Sequence, residues 1–356
     1  MKKIRAGLLG STGAVGQRYI SMLEHHPSIK LDVLMGGRSA GGNYGQSARW
    51  LQADEIPEEF AAKKVFASVP ESARGCDVVF SALPAEAAAV IEPKFARFGF
   101  SVISEASSHR MDQDVPLVVP EVNPEQLGVI GVQKSRRRWK GSLVTTPNCT
   151  ATGLVIVMKP LLDRFGLRRA IVTSMQAVSG AGFPGVPSLL ITENVIPYIK
   201  NEEEKVAAES RKILSSSADG GMRHSEVEIA ISCNRVPVID GHTETLYGEF
   251  RDAVEPDEVA DSLGAFRGLP QKLRLPSAPE QPIIVRDEPD RPQPRLDRLS
   301  GSVPGMSVVV GRVRRGIGDN SVQLTLLSHN TIRGAAGTAI LTAELMQSQG
   351  YLGRSG

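Results

Sequence analysis

One of the three cysteines in this chain of 356 residues stands in a sequence suited to nucleophilic chemistry. Cys149 lies in Thr145-Thr-Pro-Asn-Cys-Thr150, with polar neighbours, a proline that fixes the turn, and an apolar helix predicted from Thr150 to Arg164. A helix N-terminus lowers the pKa of a thiol and offers N–H donors to an oxyanion. Cys76 and Cys233 fall in predicted strands, where buried cysteines are usually inert. Cys149 is therefore the predicted nucleophile.

A thiol nucleophile needs a proton acceptor, and the chain offers six histidines. His242 closes the run Arg235-Val-Pro-Val-Ile-Asp-Gly-His242, directly after a predicted strand. The pattern leaves a catalytic and a structural role for His242 about equally open. His25 and His26 lie at a predicted helix end, where we expect them to be solvated. His329 precedes the last predicted helix, where it either contacts a cofactor or caps that helix.

Two charged residues are predicted to lie on apolar faces, where each requires a partner. Arg235 ends a strand on the side of its alternating apolar residues, and a substrate carboxylate fits its guanidinium fork. Glu209 lies on the inward side of a predicted helix that Asn201 and Glu204 are expected to begin as a capping box. Glu209 binds either a substrate ammonium or an internal cation, and the pattern alone favours the internal pair.

A glycine cluster directly follows the first predicted strand, Ile4 to Leu9. Glycines between a strand and a helix let a phosphate approach the backbone N–H groups at the positive end of the helix dipole. The GxxGxxG spacing is weak evidence by itself. Its place in an alternating α/β half favours a dinucleotide site over a turn needed only for packing. The expected cofactor-binding residues here are Gly10, Ser11, Thr12, Gly13, Ala14, Val15 and Gly16.

The end of the second predicted strand, Ile29 to Met35, distinguishes between the nicotinamide cofactors. An NAD enzyme places Asp or Glu about 20 residues beyond the glycine loop to bind the ribose 2′-hydroxyl. The segment Met35-Gly-Gly-Arg-Ser-Ala-Gly-Gly42 has no acid. Arg38 supplies a charged fork and Ser39 a hydroxyl, both suited to a 2′-phosphate, although a solvated Arg38 would fit the same pattern. NADP is the expected cofactor.

The order of predicted elements indicates two kinds of α/β structure. In the first half, strands alternate with helices, which predicts βαβ units and a Rossmann-type parallel sheet. After Cys149, longer strands predict an α+β domain with a mostly antiparallel sheet. A helix from Thr331 to Gln349, capped by Asn330 or Thr331, closes the chain. Further strands of the first half are expected at Asp77 to Leu83, Phe100 to Ser104 and Leu117 to Val119, with a helix from Ala85 to Phe98.

The composition favours a globular protein whose partner is a small molecule. Apolar residues make up 41% of the chain, and 41 Lys and Arg against 39 Asp and Glu leave a net charge of +2. This balance gives no reason to expect nucleic acid or a membrane surface, and no stretch approaches the ~18 apolar residues of a membrane span. The basic run Lys134 to Lys140 is expected to be a solvated loop. Few cysteines, without a CxxC, favour the cytoplasm.

Five segments together resemble the aspartate-semialdehyde dehydrogenase family, most closely its archaeal and fungal branch. The resemblance extends over nearly the whole chain. It implies that Cys149 is the acylated nucleophile, that His242 is the acid/base, and that Gln176 orients the substrate near the cysteine. The segments are GSTGAVG from Gly10, RSAG from Arg38, TPNCT around Cys149, RVPVIDGHT from Arg235, and HNTIRGAAG from His329.

The same resemblance implies how substrate and cofactor are bound. Arg235 binds the substrate carboxylate and Glu209 its ammonium, while Arg110 and Lys212 resemble the phosphate-binding basic residues of the family. Asn148, next to the nucleophile, is expected to help supply oxyanion donors. Residues expected to approach the nicotinamide half of the cofactor are Ser179, Gly180 and Asn330.

The implied reaction is the NADP-dependent reductive dephosphorylation of L-aspartyl 4-phosphate to L-aspartate 4-semialdehyde through a Cys149 thioester, on the route to lysine, threonine, methionine and isoleucine. Residues 1–148 and 331–356 are expected to bind NADP, and residues 149–330 to form a catalytic and dimerisation domain of a homodimer or homotetramer. Two alternatives stay open. A malonyl-CoA reductase would use the same scaffold for a substrate without an ammonium, and a catalytically silent NADP-binding regulatory protein would keep only the fold.

Overall fold

The computed structural model describes residues 3–218, 221–223 and 225–352. Within it the chain forms two compact units. The first comprises residues 1–118, 124–147 and 335–356, and the second comprises residues 119–123 and 148–334. The last four residues of the chain, which the sequence assigns to the NADP-binding domain, lie outside the described residues.

The first unit is built around a six-stranded parallel sheet with the order β3-β2-β1-β4-β5-β6. This order reverses direction at β1, as in nucleotide-binding α/β sheets, where ligands bind beyond the carboxyl ends of the strands. The predicted Rossmann-type sheet is confirmed. Its strands are β1 (Ile4–Leu9), β2 (Ile29–Gly36), β3 (Val65–Ala67), β4 (Val78–Ser81), β5 (Ser101–Ser104) and β6 (Ser142–Thr145).

Helices follow these strands as the alternating pattern predicts. Helix α4 spans the predicted residues, because Ala85–Phe98 presents Ala88, Phe95 and Ala96 to the core and Gly99 ends it at φ 133°. The sheet packs its apolar strand residues against Phe95 and Trp139. The helices of this part are α1 (Ala14–Leu23), α2 (Tyr44–Ser47), α3 (Glu58–Ala61), α4 (Ala85–Phe98) and α5 (Val129–Arg137).

Three predictions for the first unit were wrong. Leu117 to Val119 is not a strand, since Leu117 forms only an isolated parallel bridge with Thr145. The basic run Lys134 to Lys140 was expected to be a loop, but its first residues form the end of α5. There Arg137 forms an ion pair with Asp114 at 2.6 Å. His26 is not solvated but buried, and its Nε2 lies 2.9 Å from the Glu344 carboxylate.

The second unit contains a mixed, mostly antiparallel sheet with the order β10-β7-β11-β14-β13-β12, as predicted. Its buried face carries Val172, Leu246 and Leu324, which pack beneath the long apolar helix α6. The elements of this unit are α6 (Cys149–Phe165), β7 (Leu167–Gln176), α7 (Ser188–Ile191), α8 (Glu202–Ile213), β8 (Ser216–Ala218), β9 (Gly221–Arg223), β10 (Glu228–Arg235), β11 (His242–Phe250), α9 (Pro256–Ala265), α10 (Leu269–Lys272), β12 (Ile283–Arg286), α11 (Pro294–Asp297), β13 (Val308–Arg315) and β14 (Ser321–Ser328).

Both predicted helix caps of the second half were wrong. Asn201 precedes α8 in a left-handed conformation and makes no side-chain cap. The final helix, α12, begins only at Gly337 and ends at Ser348, with Ala336 as its N-cap. A wide, π-helical turn over Ile332–Ala336, kinked at Ala335, comes before it. Asn330 and Thr331 therefore lie upstream of the helix. Among the described residues, no helix is long and apolar enough to cross a membrane.

Candidate active site

Cys149 is the first residue of α6, and Asn148 is the residue that caps this helix. The Asn148 side-chain oxygen accepts from the N–H groups of Thr150 at 2.8 Å and Ala151 at 3.3 Å. Its side-chain NH₂ donates to Glu202 at 2.9 Å, and its backbone N–H donates to Glu209 at 2.6 Å. The sequence assigns Asn148 to the oxyanion. In the structure its side chain caps the start of α6.

Two carboxylates of α8 therefore hold the turn in front of the nucleophile. Glu202 and Glu209 lie seven positions apart on one face of α8, and both are buried. The sequence missed Glu202, which looked like an ordinary acidic residue in the first turn of a helix. Lys212 follows Glu209 by three positions, on the same side of α8, and is also buried.

The His242 side chain is in hydrogen-bond contact with the Cys149 sulfur. Its Nε2 lies 3.2 Å from Sγ, and its Nδ1 accepts the backbone N–H of Ala177 at 3.1 Å. The ring is completely buried. Burial, together with the positive charges of Arg235 and His329, lowers the pKa of His242 to about 3. The imidazole is thus neutral at physiological pH.

The other two thiols differ from Cys149 in their surroundings. Burial raises the pKa of both Cys76 and Cys233 to about 12, so each stays a protonated thiol. None of the three cysteines forms a disulfide within the described part of the chain. Cys149, by contrast, begins α6 and contacts the His242 ring, and it stays the predicted nucleophile.

Arg235 is anchored beside this pair by Ala177, the residue whose N–H also contacts His242. Its Nη1 donates to the Ala177 carbonyl at 2.7 Å, and its side chain is buried. A Cβ built on Gly180 would lie 2.9 Å from that nitrogen and 3.2 Å from His242 Nε2. Glycine at position 180 therefore keeps space open above both groups. Ala177 could not be predicted from the sequence, because its contacts use backbone atoms that every residue has.

Asn330, Ser179 and Gln176, also predicted from the sequence, lie near His242 and Ala177. Asn330 donates to the Ser179 hydroxyl at 2.7 Å and accepts from the Gly241 N–H at 2.9 Å, which ties the turn before His242 to the loop carrying Gly180. Gln176 ends β7 one residue before Ala177 and is buried. The structure thus brings together Cys149, His242, Arg235, Glu209, Asn148, Gln176, Ser179, Gly180 and Asn330.

In the first unit, the glycine cluster forms a tight turn at the end of β1. Gly10 has φ +73°, and a Cβ there would lie 2.6 Å from the Ala82 carbonyl oxygen. A Cβ on Gly16 would lie 2.4 Å from the Gly10 oxygen. Gly13 begins α1 without a side-chain cap, which suits an anion at the helix N-terminus. Ser11, by contrast, uses its hydroxyl internally, donating to the Met35 carbonyl at 3.1 Å.

A cavity of about 620 Å³ opens beside this turn, and its lining residues bear on which cofactor it fits. Arg38 is exposed in its wall, and Ser39 lies there with its hydroxyl 3.4 Å from that of Thr12. A guanidinium and hydroxyls, without a carboxylate among the described lining residues, fit a ribose 2′-phosphate better than a 2′-hydroxyl. The lining residues are Thr12, Gly37, Arg38, Ser39, Ala40, Gly42 and Ser47.

Arg110 also belongs to the first unit, where a buried carboxyl accompanies it. Its Nη2 donates to the Glu105 carbonyl oxygen at 2.6 Å. Burial raises the pKa of the Glu105 carboxyl to about 8, although the Tyr19 hydroxyl, 2.5 Å away, and the charge of Arg110 oppose the shift. Arg110 is mostly buried, as befits a guanidinium held in a fixed position.

A dinucleotide-type unit, combined with a unit in which a cysteine at a helix start contacts a histidine, is typical of an oxidoreductase that forms thioesters. Comparison with known proteins agrees with this class. The family model described as "Semialdehyde dehydrogenase, NAD binding domain" matches residues 5–130, and "Semialdehyde dehydrogenase, dimerisation domain" matches residues 158–333. The chain belongs to the semialdehyde dehydrogenase family, which confirms the family resemblance of its motifs. It carries the nucleotide-binding and dimerisation domains of that family.

Individual relatives cover almost the entire chain. The aspartate-semialdehyde dehydrogenase of Archaeoglobus fulgidus is 51% identical over 343 residues, 96% of this chain and 97% of the relative. The malonyl-CoA reductase (NADP) of Metallosphaera sedula is 41% identical over 355 residues, 99% of each chain. The crystal structure of aspartate semialdehyde dehydrogenase with NADP from Candida albicans superposes with a TM-score of 0.89 at 40% identity, covering 98% of this chain and 100% of that one.

Proposed function

We propose that the chain catalyses the NADP-dependent reductive dephosphorylation of L-aspartyl 4-phosphate to L-aspartate 4-semialdehyde. The observation that carries this proposal is the contact of Cys149 Sγ with His242 Nε2 at 3.2 Å, beside an Arg235 anchored by the Ala177 carbonyl. A thiol, an imidazole and a fixed guanidinium suit an acyl substrate that also has a carboxylate. The archaeal relative with 51% identity bears the name of this activity.

The site residues divide the work between binding and chemistry. Arg235 pairs with the α-carboxylate of the substrate, Glu209 faces its ammonium, and Gln176 orients the reacting acyl group. The Cys149 thiolate then attacks the acyl carbon and displaces phosphate, giving a thioester. The N-terminus of α6 stabilises the negative oxygen that develops at this step. His242, in contact with the sulfur, serves as the acid/base for the Cys149 thiol and for that oxygen.

Phosphate and cofactor use the remaining basic residues. We assign phosphate binding to Lys212 and Arg110, since both are positively charged side chains held in buried positions. Arg38 and Ser39 bind the 2′-phosphate of NADP, with the N-terminus of α1 facing the pyrophosphate and Ser179, Gly180 and Asn330 assigned to the nicotinamide half. NADPH, when bound, supplies a hydride to the thioester.

The activity can be tested with purified protein in the reverse direction. With aspartate semialdehyde, phosphate and NADP, we expect phosphate-dependent NADPH formation. Cys149→Ala should abolish it, while Cys233→Ala, which removes a buried thiol of raised pKa, should retain it. Turnover by Cys149→Ala would overturn the mechanism, and the absence of any turnover by the wild-type protein would favour a silent NADP-binding regulatory protein.

Malonyl-CoA reduction is a second candidate, because a relative of that name is 41% identical across 99% of the chain. Malonyl-CoA has a carboxylate for Arg235 but no ammonium. The two buried carboxylates of α8, Glu202 and Glu209, favour a substrate with a positive group. Parallel assays with malonyl-CoA and aspartate semialdehyde decide between them. Glu209→Gln should raise the KM for the amino acid substrate selectively.

We also propose that the enzyme works as a homodimer or homotetramer in the cytoplasm. The match to a dimerisation domain supports an oligomer joined through the second unit. The sheet of that unit leaves Ile171 about half exposed. Three cysteines without a disulfide suit a reducing compartment. Light scattering after size-exclusion chromatography distinguishes dimer from tetramer, and a monomer would contradict the proposal.

A further inference from the structure

The hydroxyl of Tyr19 on α1 bonds to the carboxyl of Glu105, the residue that directly follows β5. The Tyr19 oxygen lies 2.5 Å from Oε1. Tyr19 is fully buried, whereas Glu105 as a whole residue is partly exposed. The Tyr19 ring packs on Phe80 of β4, with the ring centroids 4.9 Å apart. The bond therefore reaches from the helix after β1, past β4, to the end of β5.

This bond lies where a sheet of this strand order binds its ligand. The order reverses between β1 and β4, and a dinucleotide binds at such a point, beyond the carboxyl ends of the strands. The glycine turn after β1 approaches the end of β4, since a Cβ on Gly10 would lie 2.6 Å from the Ala82 carbonyl oxygen. Glu105 therefore lies at the crevice that NADP occupies, as does the N-terminus of α1.

Among the described residues, two titratable side chains act on the Glu105 carboxyl. Tyr19 faces it from α1, and Arg110 is held close because its Nη2 donates to the Glu105 backbone carbonyl at 2.6 Å. Glu92, on the neighbouring helix α4, instead accepts from the Ser104 hydroxyl at 2.5 Å. Burial raises the pKa of Glu105 to about 8, although Tyr19 and Arg110 oppose the shift.

We propose that Glu105 controls NADP binding through its proton, so that the cofactor binds to the protein with a neutral Glu105 and is repelled when this carboxyl is ionised. An ionised carboxyl and the pyrophosphate are like charges in one crevice, and each disfavours the other. By linkage, NADP binding must then favour the protonated carboxyl. The inference needs NADP as the cofactor, and it goes beyond the proposed reaction with aspartyl phosphate.

The pKa of Glu105 sets the pH range in which this control acts. At neutral pH the carboxyl already carries its proton, so NADP binds without proton exchange at this residue. Above about pH 8 the free protein has lost that proton, and binding must take one up from water. The Kd for NADPH should then rise by up to about tenfold per pH unit.

Isothermal titration calorimetry of NADPH into the full-length protein, at about pH 8 in buffers of different ionisation enthalpy, counts the protons taken up. We expect roughly 0.3 to 0.5 proton per NADPH for the wild type and almost none for Glu105→Gln, whose amide resembles the neutral acid. The backbone carbonyl that holds Arg110 is unchanged in this variant. Exposed Glu125→Gln is the matched control and should behave as the wild type. No uptake by the wild type, or equal uptake by Glu105→Gln, overturns the proposal.

Tyr19→Phe tests the bond from α1. The Tyr19 hydroxyl holds the pKa of Glu105 down against the effect of burial, so its removal should raise that pKa further. The pH above which NADPH binds more weakly should therefore move upward in folded Tyr19→Phe. This shift also identifies Glu105 as the titrating group if Glu105→Gln does not fold. An unchanged or lowered transition contradicts the proposal.

Adenosine 2′-phosphate separates this effect from the pocket at Arg38. It carries the phosphate that we assign to Arg38 and Ser39, but it has no pyrophosphate. Its Kd should stay constant from about pH 7.5 to 9, while that of NADPH rises. An equal rise for both ligands places the titrating group at the Arg38 pocket and overturns the role of Glu105.

Failure of the proposed reaction gives a different pattern, because none of these binding measurements needs turnover. If the proton uptake is as expected and the wild-type protein does not convert aspartate semialdehyde, the reaction is wrong and the role of Glu105 stands. If turnover is found and NADPH binds without proton uptake, the reaction stands and the role of Glu105 is wrong.

Discussion

Gly334 packs directly against the nucleophile, for a Cβ built on it would lie 2.6 Å from Cβ of Cys149 and 2.8 Å from its Cα. The contact joins the wide turn over Ile332–Ala336 to the start of α6. Wide turns of this kind often occur at functional sites. Here it lets the backbone after Asn330 approach the catalytic cysteine without a side chain between them.

Gly334→Ala should therefore lower kcat by about tenfold or more, because the nucleophile must shift to make room for the methyl group. KM should change less, since Arg235 is untouched. Gly131→Ala is the matched control, as a Cβ there meets nothing within 4 Å and α5 gains a better helix former. Steady-state kinetics of the two variants provide the measurement. An unimpaired Gly334→Ala would show that the contact is unimportant for catalysis.

The same turn is anchored by an ion pair buried from solvent. Arg333 bonds to both oxygens of Glu121, at 3.0 and 2.5 Å, and neither side chain is exposed. Removing one partner leaves a buried charge, which costs about 3–5 kcal/mol. We expect Glu121→Leu or Arg333→Met each to lose stability of this order in denaturant unfolding. The double variant should lose less than the sum, and additive losses would contradict a direct pairing.

Hydrophobic patterning predicted the long elements of the fold well. Helix α4 and strand β1 begin and end at the predicted residues, because each has a clear apolar period and glycine after it. The short strands β3 and β12 were missed, since three or four residues carry no period and only pairing makes them strands. Leu117 to Val119 has strand composition but makes only one bridge.

At the candidate active site, too, residues with a distinctive side chain could be predicted, whereas those that depend on tertiary contacts could not. Cys149 and Arg235 could be chosen from residue type and position, whereas the choice of His242 rested on the family resemblance. Ala177 could not, since its contribution is an N–H and a carbonyl. Glu202 could not either, because its burial against Asn148 depends on how α8 meets α6.

Arg38 offers a test of cofactor choice. Arg38→Ala should raise the KM for NADPH about tenfold or more and change that for NADH little, because a charge-assisted bond to the 2′-phosphate is lost. Arg38→Lys, which keeps the charge without the fork, should lie between. Arg97→Ala, on the exposed last turn of α4, is the control. Equal losses with both cofactors would place Arg38 outside the 2′-phosphate site.

Glu244 on β11 should make stability depend on pH in a characteristic direction. Its two carboxyl oxygens are buried and find no hydrogen-bond partner among the described residues. Burial first, and then Glu202, raise its pKa well above the ordinary value. The folded state therefore keeps a proton that the unfolded state loses above about pH 4. The free energy of unfolding therefore has its full value below about pH 4 and falls as the pH rises toward the pKa of Glu244 in the folded state.

Glu244→Gln, which resembles the protonated acid, removes this penalty. The difference in unfolding free energy between Glu244→Gln and the wild-type protein should be near zero at about pH 4 and grow in favour of the variant by at most about 1.4 kcal/mol per pH unit. Denaturant unfolding at several pH values measures it, with exposed Glu258→Gln as control. A wild-type protein that is the more stable of the two at neutral pH would mean that Glu244 is ionised and paired.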